Sequence, residues 1–283
     1  MQYKRAKNII MQNHIAIVIS WGGMTASYQA GCVYALATHL GCTDVDIVIA
    51  GSWWCGTMSY YVAQQYEQIK HIRCDLLSTS KFIHKRRMSK VIDIDYLIDT
   101  VFKQQASLDI SQIKSSSTKY YITATNQASG QVEFLNTKNH DVYELMRASK
   151  AMPIVYNKSI TINNKSYGDS PNSSAIEPKI SQSIKMWVTH IIIIDGQQKT
   201  PRWIIQLFLL GRGKTYKQWF WKEYNVRKNY VILKGIKSIR LIPQKPIKTW
   251  ILNNNKNVLQ WLFDQGVTET INNIHLKKFL ALI

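Results

Sequence analysis

The residues of this chain whose types and spacing could carry covalent chemistry lie between Asp46 and Tyr66, read DIVIAGSWWCGTMSYYVAQQY. Apolar Val48-Ile49-Ala50 runs into Gly51-Ser52, and from Gly56 onward the sequence suits a helix. A strand that breaks sharply into a helix is the geometry of a nucleophile elbow. Such a turn lifts one side chain clear of the sheet and sets it against the positive end of the following helix. A serine hydroxyl held there can attack a carbonyl carbon, so the chemistry in view is acyl transfer. Ser52 is the hydroxyl at the turn. Cys55 is a further candidate, because a thiol at a helix N-terminus ionises more readily and is intrinsically nucleophilic. The more ordinary role for such a cysteine is that of a small buried apolar residue.

An elbow needs a sheet beneath it, and the flanking sequence supplies one. His14 to Ser20 reads as a buried parallel strand, apolar on both faces. Trp21 to Ala26 is a loop, and Ser27 is placed to cap a helix through Leu36. Two strands joined through a helix form a right-handed crossover, the unit of a parallel sheet. Residues 67–90 read as helical and increasingly basic, ending in Lys81 to Arg87. Asp93 or Asp95 then opens a helix with Leu97, Ile98, Val101 and Phe102 on one side. Tyr120–Thr125 and Gln131–Leu135 alternate as a hairpin, and Asp141–Ser149 is a short helix. A second hairpin, Ile160–Ile162 with Lys165–Tyr167 around Asn163-Asn164, delivers the chain to Gly168-Asp169-Ser170-Pro171. Trp187–Ile194 is another buried strand. A lysine-rich helical region from about Trp203, a strand at Ile239–Ile242 and a last helical pair complete the chain.

At 283 residues with 46% hydrophobic content, one large α/β domain is the simplest arrangement, residues 1–13 forming an extension and 14–283 the domain. No run of 18 apolar residues suggests a membrane span, and the start shows no secretory signal. Four cysteines without paired spacing point to reduced thiols in a cytoplasm, and the seven scattered histidines do not suggest a metal site. A formal net charge of +19 attracts anionic surfaces, either nucleic acid or acidic lipid. No nucleic-acid-binding signature accompanies it. Trp203, Trp219, Trp221, Trp250 and Trp261 are interleaved with lysine. Scattered aromatics usually serve a core, and beside lysine they also suit a headgroup interface. Lys85-Arg86-Arg87 reads either as a solvated helix end or as a contact for acidic lipid.

The order of these elements resembles the bacterial patatin-like phospholipases from about His14 to Asn273. Ser27-Tyr-Gln-Ala-Gly31, Lys81-Phe-Ile83, Ile92-Asp-Ile-Asp-Tyr-Leu97, Arg147-Ala-Ser149, Met152-Pro153-Ile-Val-Tyr156 and the Ile242–Lys248 turn carry the likeness. The resemblance implies a three-layer α/β sandwich with a mainly parallel central sheet. It also implies lipid acyl hydrolase activity by a Ser–Asp dyad without cofactor, on an acyl lipid or phospholipid. The aspartate would be Asp169, and Gly22 and Gly23 would supply oxyanion amides; peripheral contact with anionic membrane follows from the substrate.

The family's site motifs are altered here. Trp21, Thr25 and Ala26 replace residues of a glycine-rich loop, leaving Gly22 and Gly23, which also suit an ordinary strand-to-helix turn. Matched to G-x-S-x-G without a gap, the elbow puts Trp53 on the nucleophile and Cys55 on the second glycine, an inert register. One residue shorter, it puts Ser52 there. Ser170 and Pro171 replace the glycines after Asp169, and the same residues suit a plain Asp-Ser-Pro turn. Two functions therefore remain: a serine esterase of the patatin-like type, and an inactive pseudoenzyme that binds acidic lipid or a protein partner.

Overall fold

The structure is a computed structural model. It describes residues 13–20, 22–84, 91–152, 156, 158–196, 202–228, 232, 235–249 and 252–283. Trp21, Lys85–Arg87, Pro153–Val155, Trp250 and residues 1–12 of the expected extension lie outside that set.

Strands β1 (Ile15–Ser20), β2 (Ile47–Gly51), β3 (Lys119–Asn126), β4 (Val132–Asn136), β5 (Ile160–Ile162), β6 (Lys165–Gly168), β7 (His190–Asp195) and β8 (Lys237–Leu241) form one sheet. Its bonded path runs β5-β6-β3-β2-β1-β7-β8, with β4 also on β3. The β3-β2-β1-β7-β8 portion is parallel throughout, whereas β4, β5 and β6 join antiparallel. The central strands are apolar on both faces, as buried parallel strands must be. Ile17, Ile19, Val48, Ala50, Ile192 and Ile194 enter the large core on one side; Ala16, Val18, Ile47, Ile49, Ile191 and Ile193 enter a smaller core on the other.

Helices cover both faces. On the large-core side lie α1 (Ser27–Thr38), α2 (Trp54–Val62), α3 (Tyr66–Cys74), α4 (Ile110–Ser115) and α5 (Val142–Lys150). The opposite face is covered by α6 (Glu177–Lys185), through Ile176 and Ile180. Next come α7 (Arg202–Leu209) and α8 (Lys214–Lys228), which share a separate cluster of Ile205, Phe208, Leu209, Tyr216 and Phe220. The chain then returns to the large core with α9 (Lys256–Ile271) and α10 (Ile274–Leu280). The expected three-layer α/β sandwich with a mainly parallel sheet is therefore present.

One register detail positions the site. Thr123 pairs with Gly51 on one edge of β3 and Phe134 on the other, and Thr125 pairs with Gly168 and Val132. β4 holds the same edge throughout, so β6 approaches along the edge that β2 leaves at Gly51. The residue after β6 thus arrives beside the residue after β2.

Several local expectations are corrected. The helix over 67–90 stops at Cys74. Beyond it the hydroxyls of Ser78 and Thr79 bond back to the carbonyls of Asp75 and Leu76, competing with a helix ladder. Ser27 is the first residue of α1 rather than its cap, since a 3-10 turn over Gly23–Ala26 precedes it. Asp93 accepts the Tyr96 amide at 2.9 Å, and the segment that follows, Tyr96–Gln105, is π-helical with the expected residues buried. The strand expected from Trp187 begins at His190; Trp187 itself has φ +63° and is 86% exposed. Trp203 and Trp261 are also exposed, at 60% and 61%, so neither fills a core. Among the described residues no helix is long and apolar enough to cross a membrane.

α1 and α9 meet backbone to backbone. A Cβ on Gly266 would lie 1.9 Å from the Tyr28 carbonyl oxygen, and one on Gly31 would lie 2.1 Å from that of Phe263. Gly266→Ala should lower unfolding free energy in urea by about 1–3 kcal/mol. Gly213→Ala, in open space, should change it by no more than about 0.5 kcal/mol.

Candidate active site

β2 ends at Gly51 and α2 begins at Trp54, leaving Ser52 and Trp53 to turn the chain. Ser52 takes the whole corner with φ +55°, a left-handed conformation that L residues adopt at a cost. Trp53 is already helical at φ −60°. Ser52, and not Trp53, therefore occupies the corner between β2 and α2. Gly51 must lack a side chain, because a Cβ there would lie 2.0 Å from Thr123 Oγ1. Ser149 on α5 fastens the corner. Its Oγ accepts the Ser52 N–H at 2.6 Å and donates to the Thr123 carbonyl at 2.6 Å.

Across the corner, Ser52 Oγ donates to Asp169 Oδ2 at 2.5 Å. The two oxygens of Asp169 have separate surroundings. Oδ1 accepts the Ser170 N–H at 2.8 Å and the hydroxyls of Ser173 and Ser174 at 3.1 and 2.9 Å. Its own N–H donates to the Ala151 carbonyl at 2.9 Å. Residues 170–174 thus form a hydroxyl-lined turn, and the backbone amide that reaches Asp169 belongs to Ser170 rather than to position 171. Burial raises the Asp169 pKa above the ordinary carboxylate range, and the bonds from Ser52, Ser174 and Ser173 pull the other way.

Beneath the corner sit groups of a different kind. Cys55 is fully buried, and its Sγ donates to the Ser52 carbonyl at 2.9 Å. Lys150 places Nζ 2.9 Å from that carbonyl and 2.6 Å from Cys55 Sγ. Burial lowers the Lys150 pKa, while attraction to Cys55 and Asp169 opposes the shift. Cys55 therefore lies under the site, boxed in by Lys150, rather than opening toward a substrate. Trp54 is also fully buried, with the Arg73 guanidinium 5.3 Å from its ring centroid. Arg73 donates to the Trp53 carbonyl at 3.0 Å and to Thr57 at 2.9 Å. Burial brings its pKa down to about 10.

Gly22 and Gly23 open the turn into α1. A Cβ on Gly22 would lie 2.7 Å from the Trp54 ring, so this loop rests on the start of the elbow helix. Gly23 has φ +47°, where glycine is the cheap residue. Ser52 and Asp169 are covered, at 3% and 1% exposure. α8 packs nearby: Asn172 Nδ2 donates to the Phe220 carbonyl at 3.0 Å, and Tyr216 backs on to Gly130.

No family model matches this chain, and no curated protein matches it. Among solved structures the chain is similar to VipD from Legionella pneumophila, at 11% identity and a TM-score of 0.44. The likeness spans 89% of this chain and 67% of that one. At that level it speaks for neither a role nor a ligand.

Of the residues gathered here, Ser52, Cys55, Asp169, Gly22 and Gly23 are candidates in the sequence, whereas Ser149, Lys150, Ser173 and Ser174 are not. Ser149 had a signal in Arg147-Ala-Ser149. Lys150 had none, because a lysine at a helix end reads as solvated. Ser149→Ala removes the acceptor of a buried N–H and should cost about 1–3 kcal/mol in urea unfolding.

Proposed function

We propose that this chain is a serine hydrolase of acyl esters working by a Ser52–Asp169 dyad. Its resemblance to patatin-like phospholipases makes lipid esters the substrate class. The observation that carries this reading is the 2.5 Å bond from Ser52 Oγ to Asp169 Oδ2 at a corner with φ +55°. A hydroxyl in the elbow with a carboxylate in direct reach needs no histidine and no cofactor to be activated.

In the proposed reaction Ser52 Oγ attacks the ester carbonyl carbon as its proton passes to Asp169 Oδ2. Negative charge collects on the former carbonyl oxygen, where amides of the Gly22-Gly23 turn and the first turn of α2 are the available donors. The Ser52 N–H is not among them, because Ser149 holds it. Collapse expels the alcohol, which takes the proton from Asp169. A water molecule then gives a proton to the same carboxylate as it attacks the acyl carbon; collapse breaks the Ser52 Oγ–acyl bond, the proton returns from Asp169 Oδ2 to Ser52 Oγ, and the fatty acid leaves. Ser170, Ser173 and Ser174 hold Oδ1 throughout, so that Oδ2 alone exchanges the proton.

A second reading, an inactive pseudoenzyme that binds acidic lipid or a protein partner, is favoured by the cover over Ser52 and by Trp54 where the family has glycine. Turnover requires substrate to reach a Ser52 that is 3% exposed. Exposed Trp203 and the net charge of +19 suit contact with an anionic surface, and that contact is common to both readings.

The two separate on a fluorophosphonate probe. The hydrolase reading expects stoichiometric labelling of Ser52, found by peptide mass spectrometry, and none in Ser52→Gly, a change that suits a positive φ. Folded protein that stays unlabelled in the presence of anionic vesicles contradicts it. Asp169→Asn should lower kcat for a chromogenic ester by about 10⁴-fold. Asp169 must be ionised to accept the proton and its pKa is raised, so activity falls as pH drops through a value above the ordinary ~3.9.

A further inference from the structure

Beside the dyad lies an open cleft of about 530 Å³ that the reaction above does not use. Its inner wall includes Gly168 and Ala151, the residues immediately before Asp169 and immediately after Lys150. Gln127, Ser159 and Ser166 contribute polar side chains, and Arg212 and Lys158 contribute cations. The volume falls within the range of small-ligand sites, but the lining is polar where a fatty-acyl tunnel would be apolar.

Arg212 is the informative residue. Its guanidinium carbon lies 5.0 Å from the Tyr216 ring centroid and 5.5 Å from that of Phe208. Both rings are buried, so the guanidinium is held on a fixed platform. Among the described residues no carboxylate lies within 4 Å of it. A stacked arginine whose N–H edges lack an acid is arranged to receive a planar or tetrahedral oxyanion.

The carboxylates near the cleft already have partners. Asp95 is bound by Arg147 and by the Tyr156 hydroxyl at 2.8 Å, and Lys158 reaches its second oxygen only at 3.4 Å. Glu133 accepts from Tyr167 at 2.6 Å and from Asn126 at 2.9 Å, with Lys165 at 3.4 Å. What remains for a ligand is positive charge with hydroxyl and amide donors. Phosphate esters fit that set; neutral lipids and sugars leave the Arg212 guanidinium unanswered, and Lys158, paired with Asp95 at 3.4 Å, adds positive charge at the rim.

We infer that the cleft lined by Arg212, Lys158, Ser159 and Ser166 is a binding site for a phosphate ester. In a phospholipid the phosphate there would bring the acyl ester toward Ser52, across the Gly168–Asp169 junction. That last step rests on the hydrolase reading, and phosphate recognition does not.

The test uses Ser52→Gly protein, in which binding is measured without turnover. Glycerol 3-phosphate is titrated by calorimetry, and vesicles of phosphatidylcholine with or without phosphatidic acid are assayed by co-sedimentation. Binding of glycerol 3-phosphate that weakens at least about tenfold on adding Arg212→Gln, as loss of a charge-assisted bond predicts, supports the site. Retention on phosphatidic-acid vesicles with the same Arg212 dependence identifies lipid as the source of the phosphate. Soluble binding without vesicle retention identifies a free phosphate ester. Should Arg212→Gln fail to fold, Lys158→Gln, on an exposed side chain, replaces it. No binding of either probe, or binding indifferent to both substitutions, overturns the site. Fluorophosphonate labelling of Ser52 in the parent protein would leave the hydrolase reading standing in that event.

Discussion

The structure turns on a hydrogen bond between two residues separated by more than a hundred positions in sequence, Ser52 and Asp169. Each is presented by the end of a strand on the same edge of β3. β2 stops at Gly51, β6 stops at Gly168, and the next residue of each chain segment faces the other. The absence of a side chain at Gly51 lets Thr123 close that edge, and Ser149 ties the corner back to β3. A left-handed serine is costly in isolation. Here its N–H, its carbonyl and its hydroxyl each have a partner, which is how the corner is held.

Electrostatics at the corner oppose one another. Burial disfavours the carboxylate of Asp169 and the ammonium of Lys150 alike, while their mutual attraction and the serine hydroxyls favour the charged forms. Removing Lys150 would thus leave Asp169 as a buried acid with less reason to ionise. Trp54 fills space between the Gly22 loop and Arg73. The Ser170–Ser174 turn supplies one amide and two hydroxyl donors to Asp169 Oδ1.

Much of the frame was legible in the chain. Runs such as Ile15–Ser20 and His190–Ile194, apolar on both faces, mark buried parallel strands, and Asn163-Asn164 marks its hairpin by taking φ +48° and +63°. The corner was legible as a place but not as a register, because Ser52 and Trp53 differ by one residue and only backbone torsions separate them. Lys150 and Arg73 were invisible, since nothing local distinguishes a buried cation from a solvated one. Helix 67–90 was overextended because its charge pattern continues where serine and threonine hydroxyls have already ended the ladder. The core and interface readings of Trp203 and Trp261 stayed open for a related reason: composition does not say which side of a helix is covered.

The most direct measurement of the central interaction is a carboxyl ¹³C NMR titration of Asp169, in the parent protein and with Ser52 replaced by glycine. Burial predicts a midpoint above the ordinary ~3.9 in the parent. Removing the Ser52 hydroxyl takes away a bond that favours the carboxylate, so the midpoint should move higher still. A midpoint in the ordinary range that does not respond to loss of the hydroxyl would mean that serine and aspartate do not meet, and would contradict the account.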